Sequence, residues 1–276
     1  MEKKLVVCIN GNFLPASEAV IPALDGGNLY GQGLFETVLI KNGRPVFIER
    51  HWDRLTNSSR ALSITLPFSV EALNAMLRET VERNGLTTGV ARITLTMGVE
   101  GGHSNLIIHN RPLPYTREHY VNGFKSGFVS MRRNERSPLV GHKTTSYFEN
   151  ILARREARKR GLDEGLFLNT RGELAEGAVS NIFLVKDQKV ITPDRESGLL
   201  PGVMRGAVLE VCRQLGIPAQ ERKVLPEELK YCDEAFITNS LLGVMPVVSV
   251  DEYAIGRAAT GELTGLIHKE IQTRNC

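Results

Sequence analysis

Between Phe35 and Ile48 the chain reads FETVLIKNGRPVFI, two apolar, β-branched runs on either side of Asn42-Gly43. Asn-Gly favours the positive φ angles of a type I′ turn, so this stretch predicts a β-hairpin. The period then changes: in IERHWDRLTNSSRAL, Ile48, Trp52, Leu55 and Leu62 recur at helical spacing. VEALNAMLRETVERNG predicts a second helix that closes at Gly85. VARITLTMG and NLIIHN return to strand-like patterns, and RPLPYTREHY, with two prolines and little periodicity, breaks them. Beyond it, GFVSMRR and GLFLNTRGELAEG predict strands and NIFLVKDQKVITP a second hairpin. GVMRGAVLEVCRQLG and GELTGLIHKEIQTRN predict helices.

Strands that arrive in hairpin-like pairs argue for an α+β fold and against a Rossmann fold or a TIM barrel. With 276 residues there is room for two modest domains. The break at RPLPYTREHY divides them into a small α+β domain over 1–112, a linker over 113–122 and a larger domain over 123–276.

Charge narrows the function classes. Thirty-four basic residues against 31 acidic ones leave +3, which gives no basis for a nucleic-acid or anionic-membrane surface. The densest basic run, ARREARKRG, carries Glu156 and reads as a solvated helix face. Cys8, Cys212, Cys232 and Cys276 are far apart, fit neither a zinc site nor a disulfide framework, and suit a reducing cytosol. MEKKLVVCINGNF lacks the pattern of a signal peptide, and no apolar run reaches membrane-spanning length. A cytoplasmic protein is expected.

Four stretches carry candidate chemistry. In GHKTTSYFENILARREA, Ser146 to Glu149 spells S-x-x-E, a capping box for a helix ending at Gly161, with Lys143 in its approach. The partial positive charge of a helix start disfavours another cation and favours a neutral, nucleophilic amine, the state a Schiff-base lysine needs. Most lysines near helix starts are simply solvated. Glu176, in GELAEGAVSNIF, stands beside small residues that allow a ligand to approach, though turn carboxylates are commonly exposed. Pro201 and Gly202 precede a helix whose Val203 and Met204 amides can receive a phosphate, as can many helix starts. FITNSLLGVMPV is strand-like but broken by Thr238, Asn239 and Ser240, which also fits a plain strand-to-turn transition.

In this order the motifs resemble the fold-type IV pyridoxal-phosphate enzymes: branched-chain aminotransferases, D-amino acid aminotransferases and aminodeoxychorismate lyases. The likeness runs from LYGQGLFETVLIKNGRPVFIERHWDRL to AFITNSLLGVMPV, and ELAEGAVSNIF and GLLPGVMRG are its most specific parts. The resemblance implies a two-domain D-amino acid aminotransferase-like architecture, barrel-like in its C-terminal domain, with pyridoxal 5′-phosphate between the domains. It implies a homodimer whose partner subunit completes the pocket. Lys143 stands at the family's Schiff-base lysine and Glu176 at the carboxylate that keeps the pyridine nitrogen protonated, so that the ring accepts electrons. Arg54, in HWDRL, stands at the phosphate-binding arginine. The Val203 and Met204 amides and Ser240 stand at further phosphate contacts. Tyr147 matches a tyrosine that bonds the cofactor's phenolic oxygen, and Tyr30 and Phe35 match positions lining the substrate pocket.

Three features are similar to the lyase branch: TNSLLGVMPV, RSPLVGHKT, and Thr37, at a position where a threonine assists proton transfer. In that reading the substrate amine displaces Lys143 from the internal aldimine. The freed lysine takes the ring proton, pyruvate is eliminated and 4-aminobenzoate is released. The alternative is an aminotransferase acting on D-amino acids or branched-chain L-amino acids with a 2-oxo acid acceptor. One departure stands out: the lyase and D-amino acid groups commonly read Thr-Arg-Gly where this chain has Thr96-Met97-Gly98. Met97 thus occupies the place of a carboxylate-binding arginine, and Arg92, Arg133 and Arg136 are the candidates to replace it.

Overall fold

The computed structural model describes residues 5–257 and 261–274. These form two compact units, one of residues 5–114 with 142–146 and one of residues 115–141 with the remainder from 147 onward.

The first unit opens with a hairpin, β1 (Val6–Ile9) and β2 (Asn12–Pro15), then a short helix α1 (Gly26–Tyr30). The predicted hairpin follows as β3 (Gly33–Lys41) and β4 (Arg44–Pro45), turning through Asn42 at φ 52° and Gly43 at φ 72°. Helices α2 (Ile48–Ala61) and α3 (Val70–Arg83) and strands β5 (Gly89–Thr96) and β6 (Asn105–Arg111) complete it. The six strands pair antiparallel in the order β2-β1-β6-β5-β3-β4. Alternation along each strand puts Leu34, Val38, Ile40, Ile93, Leu95, Leu106 and Ile108 into one core with Trp52, Leu55, Leu73 and Leu77 of the two helices. The opposite face carries Phe35, Thr37, Arg92, Thr94 and His109.

The second unit begins with α4 (Arg117–Asn122) and β7 (Phe124–Arg133). The stretch 113–122 expected as a linker is therefore helical from Arg117. Tyr115 and Tyr120 pack against the second unit's core, and the Tyr120 hydroxyl donates to the Leu242 carbonyl at 2.7 Å. Then come α5 (Phe148–Lys159), β8 (Glu164–Asn169), β9 (Leu174–Gly177), β10 (Asn181–Lys186) and β11 (Lys189–Pro193). After these come α6 (Val203–Gln214), β12 (Ala219–Arg222), β13 (Glu234–Asn239), β14 (Gly243–Val250), β15 (Tyr253–Ala254) and α7 (Glu262–Arg274). The sheet runs β12-β11-β10-β13-β14-β7-β8-β9, with β15 on β14. Its β14–β7, β7–β8 and β11–β12 pairs are parallel, so the crossovers lie between hairpins rather than alternating strictly. At the end of that order β9 lies beside β10 and β11, which curls the sheet back on itself.

The capping box expected at Ser146–Glu149 does not form. The N-cap of α5 is Tyr147, with no side-chain bond to the helix, and the Ser146 hydroxyl donates instead to the Gly31 carbonyl at 3.2 Å. The predicted last helix is present from Glu262 to Arg274; Asn275, which ended the expected segment, and Cys276 lie outside the described residues.

Candidate active site

Lys143 belongs to the first unit because its neighbours join the start of β3. The Phe35 amide donates to the Lys143 carbonyl at 2.8 Å, Thr144 bridges antiparallel to Leu34, and the Thr145 amide donates to Gly33 O at 2.9 Å. Gly33 permits this strap: a Cβ there would lie 2.7 Å from the Leu95 carbonyl and 2.8 Å from Thr145 Oγ1. The amine that emerges lies 4.3 Å from the centre of the Phe35 ring, and the Arg92 guanidinium lies 3.8 Å from that ring. Thr37 is two residues from Phe35 on the same strand face and directly opposite Arg92 in register.

On the helix side of the same strand, Glu36 is buried between two α2 side chains. Arg54 grips it in a fork, Nε to Oε1 at 2.8 Å and Nη2 to Oε2 at 2.6 Å, and His51 Nδ1 meets Oε2 at 2.6 Å. Burial by itself would raise the carboxyl, but the Arg54 guanidinium and His51 hold it down to about 2. Burial also lowers the affinity of His51 for a proton, with Arg54 and Lys143 adding to it against the pull of Glu36. Because a carboxylate can only accept, Nδ1 carries the hydrogen that faces Glu36. Neither Glu36 nor His51 lies at a candidate position of the sequence motifs. The signal was there: a carboxylate in the apolar phase of Leu34, Val38 and Ile40 requires a buried cation, and His51 and Arg54 stand three apart on the helix that packs over it.

Met97 lies half-buried against the first unit's core, its amide held by the Gln32 carbonyl at 2.9 Å. Tyr30 ends α1 and is 73% exposed.

The second unit carries the other candidates. Glu176, on β9 opposite Phe167, is 7% exposed. Its Oε2 accepts the Leu200 amide at 3.0 Å and its Oε1 lies 3.2 Å from Arg133 Nη2. The Tyr147 hydroxyl donates to the Ala178 carbonyl at 3.2 Å, next to Asn150 Nδ2 at 2.8 Å. Burial, then the Glu176 and Glu164 carboxylates, push this phenol upward, partly offset by Arg133 and Arg154.

Glu164, at the start of β8, is 2% exposed and accepts from the Ser180 hydroxyl at 3.1 Å, below the turn that follows Glu176. Burial lifts it to about 7 from an ordinary 4.5. Between those values the folded chain holds a proton that the unfolded chain releases. The stability Glu164 contributes is therefore complete below 4.5 and lost as pH rises through 7, at about 1.4 kcal/mol per pH unit in that window. Glu164→Gln should remove this slope; urea midpoints at about pH 5 and about pH 8 measure it. An equal pH dependence in the two proteins would contradict the assignment.

The start of α6 suits an anion. No side chain caps it, and the amides of its first turn, Val203 and Met204 among them, have no intrahelical acceptor. Its N-cap Gly202 packs on Asn181, whose Oδ1 a Cβ would approach to 2.2 Å. Asn181 pairs in register with Thr238, whose buried Oγ1 has no hydrogen-bond partner among the described residues. Ser240 follows directly after β13, half-buried. An uncapped helix start with an orphaned hydroxyl nearby fits a phosphate monoester, and no cluster of metal-ligating side chains competes among the described residues.

Residues 33–250 match the model of the family described as amino-transferase class IV. The chain belongs to this family. It is an enzyme of the class IV aminotransferase group and has the fold-type IV architecture. The aminodeoxychorismate lyase of Bacillus subtilis is 30% identical over 97% of this chain and 95% of its own length. The crystal structure of 4-amino-4-deoxychorismate lyase from Pseudomonas aeruginosa superposes with a TM-score of 0.86 at 32% identity, covering 97% of this chain and 98% of that one. That of the T.th. branched-chain amino acid aminotransferase with pyridoxamine 5′-phosphate does so at 0.91 and 26% identity, covering 98% and 93%. The family thus includes both lyases and transaminases similar to this chain along nearly its whole length. No helix among the described residues is long and apolar enough to cross a membrane.

Of the three arginines considered as replacements for the one absent at Met97, Arg133 lies against Glu176 and Arg136 is exposed beyond the end of β7. Arg92 alone shares a sheet face with Phe35 and Thr37.

Proposed function

We propose that this class IV enzyme is a pyridoxal-phosphate-dependent lyase that splits 4-amino-4-deoxychorismate into pyruvate and 4-aminobenzoate. The observation that carries it is the pairing of Thr37 with Arg92 on the sheet face of Phe35, whose ring lies 4.3 Å from Lys143 Nζ. A dicarboxylate substrate needs a cation there, and an elimination needs a hydroxyl able to relay a proton, but it needs no acceptor keto acid.

When bound, the cofactor supplies an electron-accepting ring. Lys143 Nζ is the attachment point and the base that takes the substrate's ring proton and returns it to the departing three-carbon fragment. Thr37 Oγ1 relays that proton, Arg92 takes a substrate carboxylate, and the Phe35 ring keeps water from the amine. Glu176 would hold the cofactor's ring nitrogen and Tyr147 its phenolic oxygen. Arg54, held by Glu36, and the Val203 and Met204 amides with Ser240 would hold its phosphate. The chain acts as a homodimer in the cytoplasm, and the partner copy covers the exposed Val20, Leu24, Leu29 and Tyr30.

A transaminase is the second reading, favoured by the TM-score of 0.91 to the branched-chain enzyme. The two separate cleanly. Holoenzyme given 4-amino-4-deoxychorismate and no 2-oxo acid should form 4-aminobenzoate and pyruvate in equal amounts over many turnovers. No product from cofactor-loaded protein, with amino transfer from D- or branched-chain L-amino acids to 2-oxoglutarate instead, would establish the transaminase.

A further inference from the structure

Arg133 is a buried guanidinium with an unusual set of neighbours. It is 8% exposed, lies at the end of β7, and stacks 4.1 Å from the centre of the Phe167 ring. Phe167 is the residue directly opposite Glu176 in the β8–β9 register. Nη2 is 3.2 Å from Glu176 Oε1, an ion pair whose angle falls short of a hydrogen bond, and Nη1 reaches Asn150 Oδ1 at 3.5 Å and Glu149 Oε2 at 3.7 Å. Among the described residues Nε and Nη2 have no hydrogen-bond partner. Leaving two guanidinium nitrogens unbonded in a buried place is costly, and Phe167 as a platform adds orientation rather than hydrogen bonds.

We propose that Arg133 is a positioning residue that keeps the negative charge on Glu176; the inference rests on the pyridoxal-phosphate reading above. A carboxylate facing a ring nitrogen shares one proton with it. A fixed cation beside the carboxylate, 3.2 Å from Oε1, stabilises the anion and so favours that proton on the ring nitrogen. The Leu200 amide on Oε2 acts in the same sense. Arginine suits the role because it stays charged when buried, whereas a buried lysine readily gives up its proton. Tyr147, Glu149, Arg154 and Glu164 are the other charged or titratable groups around this pair, and Glu149, the one paired with Arg133, is solvent-exposed on α5.

The test compares wild type, Arg133→Gln and Arg133→Lys, each loaded with pyridoxal phosphate and with the analogue carrying CH in place of the ring nitrogen. With the natural cofactor, Arg133→Gln should shift the visible absorbance of the bound chromophore. It should also lower kcat by roughly 10-fold or more at little change in KM, the scale of a one-unit or larger pKa effect from an adjacent cation. Arg133→Lys should recover part of both. With the analogue, wild type and variants should be indistinguishable. A purely structural role predicts a lower Tm with an unchanged spectrum, or an equal loss with both cofactors, and either result overturns the proposal. If Arg133→Gln fails to fold, Arg133→Lys against wild type carries the test: a smaller spectral shift and kcat loss with the natural cofactor and none with the analogue support the proposal, and an equal loss with both overturns it. Wild type that takes up no pyridoxal phosphate overturns the parent reading, and this one with it.

Discussion

Lys143→Ala should fold normally and lose turnover to below detection. What holds the strap in place is backbone: the Lys143 carbonyl on the Phe35 amide, the Thr144 bridge to Leu34, and Thr145 on Gly33. Alanine keeps all of it, so an unchanged Tm is expected. The chemistry has no substitute. A positioned proton-transfer group is worth about 10²–10⁴-fold by itself, and loss of the covalent attachment removes more. Borohydride reduction followed by intact mass is the direct check. Wild type should gain the mass of one reduced cofactor, located at Lys143 by peptide mapping, and the variant should gain none. Turnover above about 1% of wild type would remove Lys143 from the role of base.

Glu36→Ala is the second large effect, and it acts on both stability and cofactor affinity. The carboxylate is buried and is the anion that pairs with both Arg54 and His51. Removing one partner of a buried pair leaves an uncompensated charge, which costs about 3–5 kcal/mol. Over a chain of this length the cost corresponds to a fall in Tm on the order of 10 °C. Arg54 also loses the fork that aims it, so pyridoxal-phosphate affinity should weaken in parallel. The pH dependence has a definite sign. Because the folded carboxyl titrates at about 2 against 4.5 unfolded, its stabilisation is complete above 4.5 and disappears as pH falls through 2. The gap between wild type and Glu36→Gln should therefore be flat at neutral pH and close in acid. A double-mutant cycle with Arg54→Gln measures the coupling, and a coupling below about 0.5 kcal/mol would show that the pair does not support the site.

Local chemistry explains what could be read in advance. Asn42-Gly43 forms its turn because the two residues tolerate positive φ with no help from the rest of the chain, and Asp187-Gln188 does the same between β10 and β11. The same signal at Asn10-Gly11 marks the β1–β2 hairpin, at φ 52° and 85°, although the apolar run before it is short. Helices α2, α3 and α6 follow the spacing of their apolar residues. Ser146 shows the limit of such reasoning. Its position before Glu149 is that of a capping residue, whose oxygen would accept a helix amide, but the side chain is turned to the Gly31 carbonyl and the N-cap of α5 falls one residue later, at Tyr147. No pattern within four residues can report a competitor more than a hundred positions away.

Residue type and spacing alone gave the family, most strands and helices, and a lysine, a carboxylate, an arginine and a helix start as candidates. Each of these depends on residue type and short-range spacing. Tertiary structure alone decided their company. It drew residues 142–146 into the first unit, set Glu36 between His51 and Arg54, put Thr37 opposite Arg92, and turned Arg133 from a candidate substrate ligand into the neighbour of Glu176. The reason is physical. The charge state and aim of a buried side chain follow from the groups that enclose it, and strand pairing and helix packing bring those groups together from across the chain.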